Sequence, residues 1–242
     1  MNQKLRRKKN NMGFTKRSDG RKMDEIREMT AKVGIIPNAD GSAMFASGDT
    51  IAFASVFGPR TLNPKHQQDP EKGVLRVHYN MLSFSVGERI RPGLSRRSQE
   101  ISKVTEWALA PALLLDDMPG TAVDVHINII QANAGTRCAG INAAAMALAH
   151  AGIPMKDMVS AVAIGKIDDK IVTDITKEEE DYKEGEGSTD IPVSYLVNSE
   201  RLTLLQLDGK IRIKELKQAL EAGKAACKKV FEIQKAALKE TK

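Results

Sequence analysis

An α+β domain of two related β-rich lobes, with mixed sheets packed against helices, is the fold this 242-residue chain predicts. Three observations carry it. Short alternating apolar and polar runs recur in two separate stretches, 32–81 and 160–207. Helix-forming segments follow each stretch. Between them Val123, Val125, Ile127 and Ile129 alternate with Asp124, His126 and Asn128, then give way at Gly135 to the small-sided, helix-forming run Ile141–Ala149.

In order along the chain, Lys32–Ile36 predicts the first strand. Asn38-Ala39-Asp40-Gly41 turns it into Ser42–Ser47, and Gly48-Asp49 turns that into Thr50–Phe57. Gly58-Pro59-Arg60 is expected to break the third strand. Leu75, Val77, Tyr79 and Met81 alternate with Arg76, His78 and Asn80, which predicts a fourth strand with one wet face. Ser98 is the expected cap of a helix carrying Ile101, Val104, Ala108 and Ala112, kinked at Pro111. After the strand Val123–Gln131 comes a helix from Arg137, stopped by Gly152 and Pro154. Ser160–Ile167, Lys170–Asp174, Ile191–Val197 and Leu202–Leu207 form the second β-run. A long helix over 213–238 buries Leu216, Leu220, Gly223, Cys227 and Val230.

Composition narrows the class. Hydrophobic residues at 41% and charged residues at 28% are ordinary for a soluble globular protein. No apolar run approaches ~20 residues, which excludes a helical membrane span, and the N-terminus lacks the apolar core of a secretory signal. Cys138 and Cys227 lack metal-ligand spacing and predict a reducing, cytoplasmic setting. The net charge of +6 is unevenly placed. Residues 1–22 hold nine basic side chains against Asp19 alone, so the remainder is net acidic by two. Residues 1–13 read as a basic, disordered leader, and 14–242 as the folded domain.

Three groups of residues carry chemistry. Asn133-Ala134-Gly135-Thr136-Arg137 joins a strand to a helix, where free backbone N–H groups and the dipole favour anions. Thr136 adds a hydroxyl and Arg137 a forked cation suited to phosphate. A turn glycine beside a solvated arginine is the blander alternative. Arg89, Arg91, Arg96 and Arg97 form a basic loop opposed only by Glu88. Two arginines at a helix start oppose the dipole by a few tenths of a kcal/mol, about what an external anion would offset. Finally, Asp174–Asp190 holds eight carboxylates against Lys177 and Lys183. Most read as loop solvation. Asp190, just before the apolar Ile191-Pro192-Val193, is expected to be partly buried, as a proton donor or Mg²⁺ ligand.

Collinear motifs carry a resemblance. Arg17-Ser18-Asp19-Gly20-Arg21, Phe57-Gly58-Pro59-Arg60, Val74-Leu75-Arg76-Val77 and Ser95-Arg96-Arg97 come first. Ala134-Gly135-Thr136-Arg137, Ala151-Gly152-Ile153-Pro154 and Thr189-Asp190-Ile191-Pro192 follow. In type and order the chain resembles the RNase PH family over residues 14–240, and within it the catalytic subunits of archaeal exosomes. The resemblance implies a two-lobed βαβα fold like domain 2 of ribosomal protein S5, and phosphate-dependent 3′→5′ degradation of single-stranded RNA. By position, Gly135, Thr136 and Arg137 would hold inorganic phosphate, the co-substrate. Arg96 and Arg97 would grip RNA phosphates, with Lys65, His66 and Arg60 also facing RNA. Asp181 and Asp190 would be the catalytic carboxylates and Mg²⁺ ligands. The loop between these two is longer than the family's, which leaves Glu179 and Glu180 as alternatives to Asp181. The implied partners are a non-catalytic paralogue in a hexameric ring, a trimer of heterodimers, and RNA-binding cap subunits with S1 or KH domains. A homohexamer trimming tRNA 3′ ends and a non-catalytic RNA-binding ring subunit are the rival readings.

Overall fold

The computed structural model describes residues 14–240, and the expected leader over 1–13 lies outside them. The first half holds β1 (Met29–Val33), β2 (Gly41–Ser47), β3 (Thr50–Thr61), β4 (Val74–Met81), α1 (Arg96–Leu109) and β5 (Thr121–Gln131). Its five-stranded sheet has the order β1-β2-β3-β5-β4. All pairings are antiparallel except β4 with β5, whose connection through α1 makes a βαβ unit. After α2 (Thr136–His150) come β6 (Val159–Ile167), β7 (Lys170–Thr173), the one-turn α3 (Lys177–Glu180), β8 (Ser188–Leu196), β9 (Arg201–Leu205) and α4 (Ile213–Glu240). The second sheet is antiparallel, ordered β7-β6-β8-β9.

The two sheets share α2. It packs on β2, β3 and β5 from one sheet and on β6 from the other, so every residue from Cys138 to Leu148 is buried. Its small side chains allow that approach. A Cβ on Gly41 of β2 would collide with the Ala147 carbonyl oxygen, and one on Gly140 would lie 3.1 Å from Ile127. A polar joint binds the halves: Asn142 Nδ2 donates to the Ala161 carbonyl at 2.9 Å, and Ala161 N donates back to Asn142 Oδ1 at 2.8 Å. Ser160 Oγ donates to Gln234 Oε1 from α4 at 2.5 Å. Nothing in the sequence pattern marked these buried amides.

Several boundaries differ from expectation. The first strand begins at Met29 and ends at Val33, because Gly34 adopts φ +72° and leaves the sheet. Gly58-Pro59-Arg60 does not end β3. A register shift between Phe57 and Arg60 absorbs the proline, and Arg60 and Thr61 resume pairing with Ala122 and Thr121. The α1 helix starts at Arg96, capped by Ser95, with Ser98 completing a reciprocal capping box at its third position. Pro111 ends this helix rather than kinking it: α1 stops at Leu109, and Ala110–Ala112 is a 3-10 turn. On α4 the buried stripe is Ala219, Gly223, Ala226, Cys227, Val230, Gln234 and Ala237, with Leu216 and Leu220 only partly buried beside it.

Arg17, counted above with the basic excess, is buried at 2% exposure. Its Nε and Nη2 donate to Glu179 at 2.8 and 2.9 Å, and further donors reach the carbonyls of Thr173 and Asp174 at 2.8 Å. The acidic run therefore contains an anchored turn, α3, capped by Thr176 and Glu179, and not only solvated loop.

Candidate active site

The strand-to-helix turn after β5 is built from below. Thr50 Oγ1 donates to the Ala134 carbonyl at 2.8 Å and accepts from Asn133 N at 2.9 Å. Arg27 Nη1 donates to the Asn133 carbonyl at 2.6 Å. These bonds hold Ala134 and Gly135 in consecutive left-handed conformations, φ +54° and +64°. Gly135 is the N-cap of α2 and has no side chain to cap it, so the first-turn N–H groups are left for a ligand. In α1, by contrast, a capping box satisfies the N–H groups of Ser95 and Ser98.

A cavity of about 880 Å³ opens over this turn. Gly135, Thr136, Arg137, Arg97 and Asp190 all line it, drawn from α1, α2 and β8. Glu88, Arg89, Lys177, Glu180, Gln206 and Asp208 complete its charged and polar wall. Asp190 lies inside β8, and its backbone exchanges two 2.9 Å hydrogen bonds with Asp208. Its Oδ1 is buried and has no hydrogen-bond partner among the described residues. Arg137 Nε and Gln206 Oε1 share that condition, which is rare for buried polar groups and common in sites that take a ligand. Burial, together with the charges of Glu180 and Asp208, pushes the Asp190 carboxyl up to about 6 against the pull of Arg137.

Glu100 braces the basic side of the cavity. It accepts from Arg137 Nη2 at 3.2 Å and from Gln206 Nε2 at 2.8 Å. Sequence reasoning missed it, although it follows Arg97 by three residues and so shares that face of α1. Arg27 and Asp174 were missed as well. Their bidentate pair, at 3.0 and 2.7 Å, lies behind the turn. Burial alone would raise Asp174, but the hydrogen bonds and charge of Arg27 outweigh it and hold the carboxyl below its usual range.

Other expected residues lie elsewhere. Arg96 is exposed beside Arg97 but does not line the cavity. Asp181 is also outside the lining; it is exposed and accepts from Lys177 Nζ at 3.0 Å. Of the two alternatives, Glu179 is committed to Arg17, and Glu180 lines the cavity and acts on Asp190. Arg60, Lys65 and His66 are separated from the cavity altogether. Arg60 pairs with Ala122 at the beginning of β5, and Lys65–Gln67 is a 3-10 turn leading to the beginning of β4. The cavity lies at the opposite, C-terminal ends of these parallel strands, at Met81 and beyond Gln131. Eight strand residues put roughly 26 Å between the two ends.

Among the described residues no group of three or more His, Cys, Asp or Glu side chains is spaced to enclose a metal. An ion that takes only one or two carboxylates still suits Asp190 and Glu180, whose oxygens are hard donors.

Comparison with known proteins agrees with this architecture. Residues 25–154 match domain 1 of the 3′ exoribonuclease family, and residues 157–226 match its domain 2. The chain belongs to the RNase PH family of 3′ exoribonucleases. It is 52% identical over 225 residues to the exosome complex component Rrp41 of Thermococcus kodakarensis, covering 93% of this chain and 89% of that one. Identity to the Rrp41 of Nitrosopumilus maritimus is 49% over 225 residues, covering 93% and 91%. Among solved structures, rice Rrp46 superposes with a TM-score of 0.80 at 24% identity, over 92% of this chain and 100% of that one. An RNA-bound exosome from Archaeoglobus fulgidus gives 0.76 at 22% identity, over 90% and 92%. These two likenesses bear on the fold alone. No helix among the described residues is long and apolar enough to cross a membrane.

Proposed function

We propose that this chain is the catalytic subunit of an exosome-type complex, which degrades single-stranded RNA from the 3′ end by attack of inorganic phosphate. The supporting observation is the convergence of an uncapped helix start, Arg137, Arg97 and a protonatable carboxyl, Asp190, on one cavity. Similarity to Rrp41 proteins of two archaea, at about half of all positions, supports the exosome assignment over a tRNA-trimming homohexamer.

The obstacle to this reaction is electrostatic, since phosphate must approach an anionic diester. The first-turn N–H groups of α2, with Thr136 and Arg137, would seat the phosphate, and Arg97 and Arg89 would hold the RNA backbone beside it. A phosphate oxygen bonds to the terminal phosphorus as the P–O3′ bond breaks, releasing a nucleoside diphosphate. Asp190, neutral below about pH 6, would give its proton to the departing O3′. A phosphodiester is exchanged for a phosphoanhydride, so the same site would add nucleotides when diphosphates are abundant. With Asp190 ionised, it and Glu180 would instead be the residues that hold Mg²⁺, whose charge would offset that of the phosphates. Backbone contacts carry little base information, so sequence preference is weak.

The expected partners are a non-catalytic RNase PH-type paralogue, completing a hexameric ring, and S1- or KH-domain cap subunits. RNA decay by the assembled complex, with and without inorganic phosphate, tests the reading. Phosphate-dependent release of nucleoside diphosphates supports it, and nucleoside monophosphates as the sole product would overturn it.

A further inference from the structure

Tyr79 on β4 has a buried hydroxyl that the mechanism above does not use. The residue is 3% exposed, and its amide donates to Ser102 Oγ of α1 at 2.8 Å. Its ring lies against α2: a Cβ on Gly140 would come 3.5 Å from Tyr79 Cε2. Gly140 and Thr136 are four residues apart, and therefore on one face of that helix. The ring runs along this face toward the first helical turn.

At its tip, Tyr79 Oη is buried with no hydrogen-bond partner among the described residues. Burial raises the phenol's pKa, and the groups opposing that rise are the Thr136 hydroxyl, then Arg97 and Arg137. All three line the cavity, whereas Tyr79 does not. A phenylalanine would fill the same space without a buried hydroxyl left unpaired, so packing gives no reason for the oxygen. Any part it plays in the site must pass through a neighbour.

We propose that Tyr79 is a positioning residue of the anion seat, its O–H turning to donate to Thr136 Oγ1 as phosphate binds at the start of α2, so that the threonine proton is directed at the anion. The donor then gains an acceptor, and Thr136, which accepts one hydrogen bond and donates another, is held in one rotamer against the anion. This inference rests on the phosphate-dependent reading and narrows it to the orientation of one hydroxyl.

Tyr79→Phe removes only the oxygen. In the assembled complex, the KM for inorganic phosphate should rise about five-fold, as for loss of one hydrogen bond. The KM for RNA and the melting temperature should stay at parental values. In a Thr136→Ala background, adding Tyr79→Phe should change nothing further, because the path runs through that hydroxyl. An unchanged phosphate KM in Tyr79→Phe overturns the proposal, as do effects of the two substitutions that simply multiply. A lower melting temperature with equal losses in every kinetic parameter overturns it too, in favour of packing. If RNA decay by the parent complex is indifferent to phosphate, both the functional reading and this inference fall. A phosphate-dependent parent with a silent Tyr79→Phe removes only the inference.

Discussion

Arg27 lies directly behind Gly135: a Cβ on that glycine would sit 3.2 Å from Arg27 Nη2. The same guanidinium grips Asp174, which follows β7, and the Asn133 carbonyl, which follows β5. One side chain from the N-terminal segment thus ties the second sheet to the turn that opens α2. Gly135→Ala should test this arrangement. A left-handed alanine costs about 1–2 kcal/mol, and the new methyl crowds the guanidinium. The expected result is a lower melting temperature with a raised KM for phosphate. Parental values of both would show that the turn tolerates a side chain.

The Arg17–Glu179 pair is nearly inaccessible, with side chains 0% and 2% exposed. Arg17→Ala would leave the Glu179 carboxylate buried without its cation, a change that typically costs about 3–5 kcal/mol. Because Glu179 anchors α3, which carries Lys177 and Glu180 into the cavity, RNA decay should fall as well. Denaturant titration of the variant checks the stability loss, and a midpoint equal to the parent's would contradict it.

Arg96 and Arg97 are adjacent, but only Arg97 lines the cavity. Substituting both with alanine should abolish RNA binding and turnover together. Taken singly, Arg97→Ala should raise the KM for RNA by about ten-fold or more, the scale of a charged hydrogen bond. Arg96→Ala should have a much smaller effect. Equal losses would mean that both contact RNA in the assembled complex.

Asp190 makes stability depend on pH in a definite direction. Its carboxyl titrates near 6 in the folded protein, against 3.8 ordinarily. The folded state therefore holds its proton more tightly, and stability falls as pH rises from about 4 to 6, then levels off. Asp190→Asn removes this loss. The variant should match the parent near pH 4 and be more stable above pH 6, by up to about 3 kcal/mol for a two-unit shift. Turnover should meanwhile stop with RNA affinity nearly intact. A variant less stable than the parent at pH 8 would show that the ionised carboxylate supports the fold.

Glu180→Gln should depress turnover more than Asp181→Asn, since Glu180 faces Asp190 and Asp181 is exposed against Lys177. Comparison of the two kcat values at saturating phosphate decides between them. The opposite ranking would mean that the α3 turn rearranges when RNA binds.

Much of the fold was legible because the alternation of Leu75 to Met81 and of Val123 to Ile129 is a local pattern, as are the turns at Asp40-Gly41 and Gly48-Asp49. The Gly135 junction was legible for the same reason, since a strand, a glycine and a helix were contiguous. The run through Pro59 was not, because its continuation as strand depends on pairing with Ala122 and Thr121, some sixty residues away.

The sequence by itself determined the family, the two β-rich stretches and the residue types that suit a phosphate seat, since each is written in contiguous residues or in their order. Only the tertiary structure decided which of those residues meet. It joined Arg97, Arg137 and Asp190 at one cavity, sent Lys65 and His66 to the far end of the sheet, and turned Glu180 rather than Asp181 inward. The physical reason is direction. Sequence spacing limits how far apart two side chains lie along the chain, but strand polarity and helix phase set where they point, and both are settled by packing between distant segments.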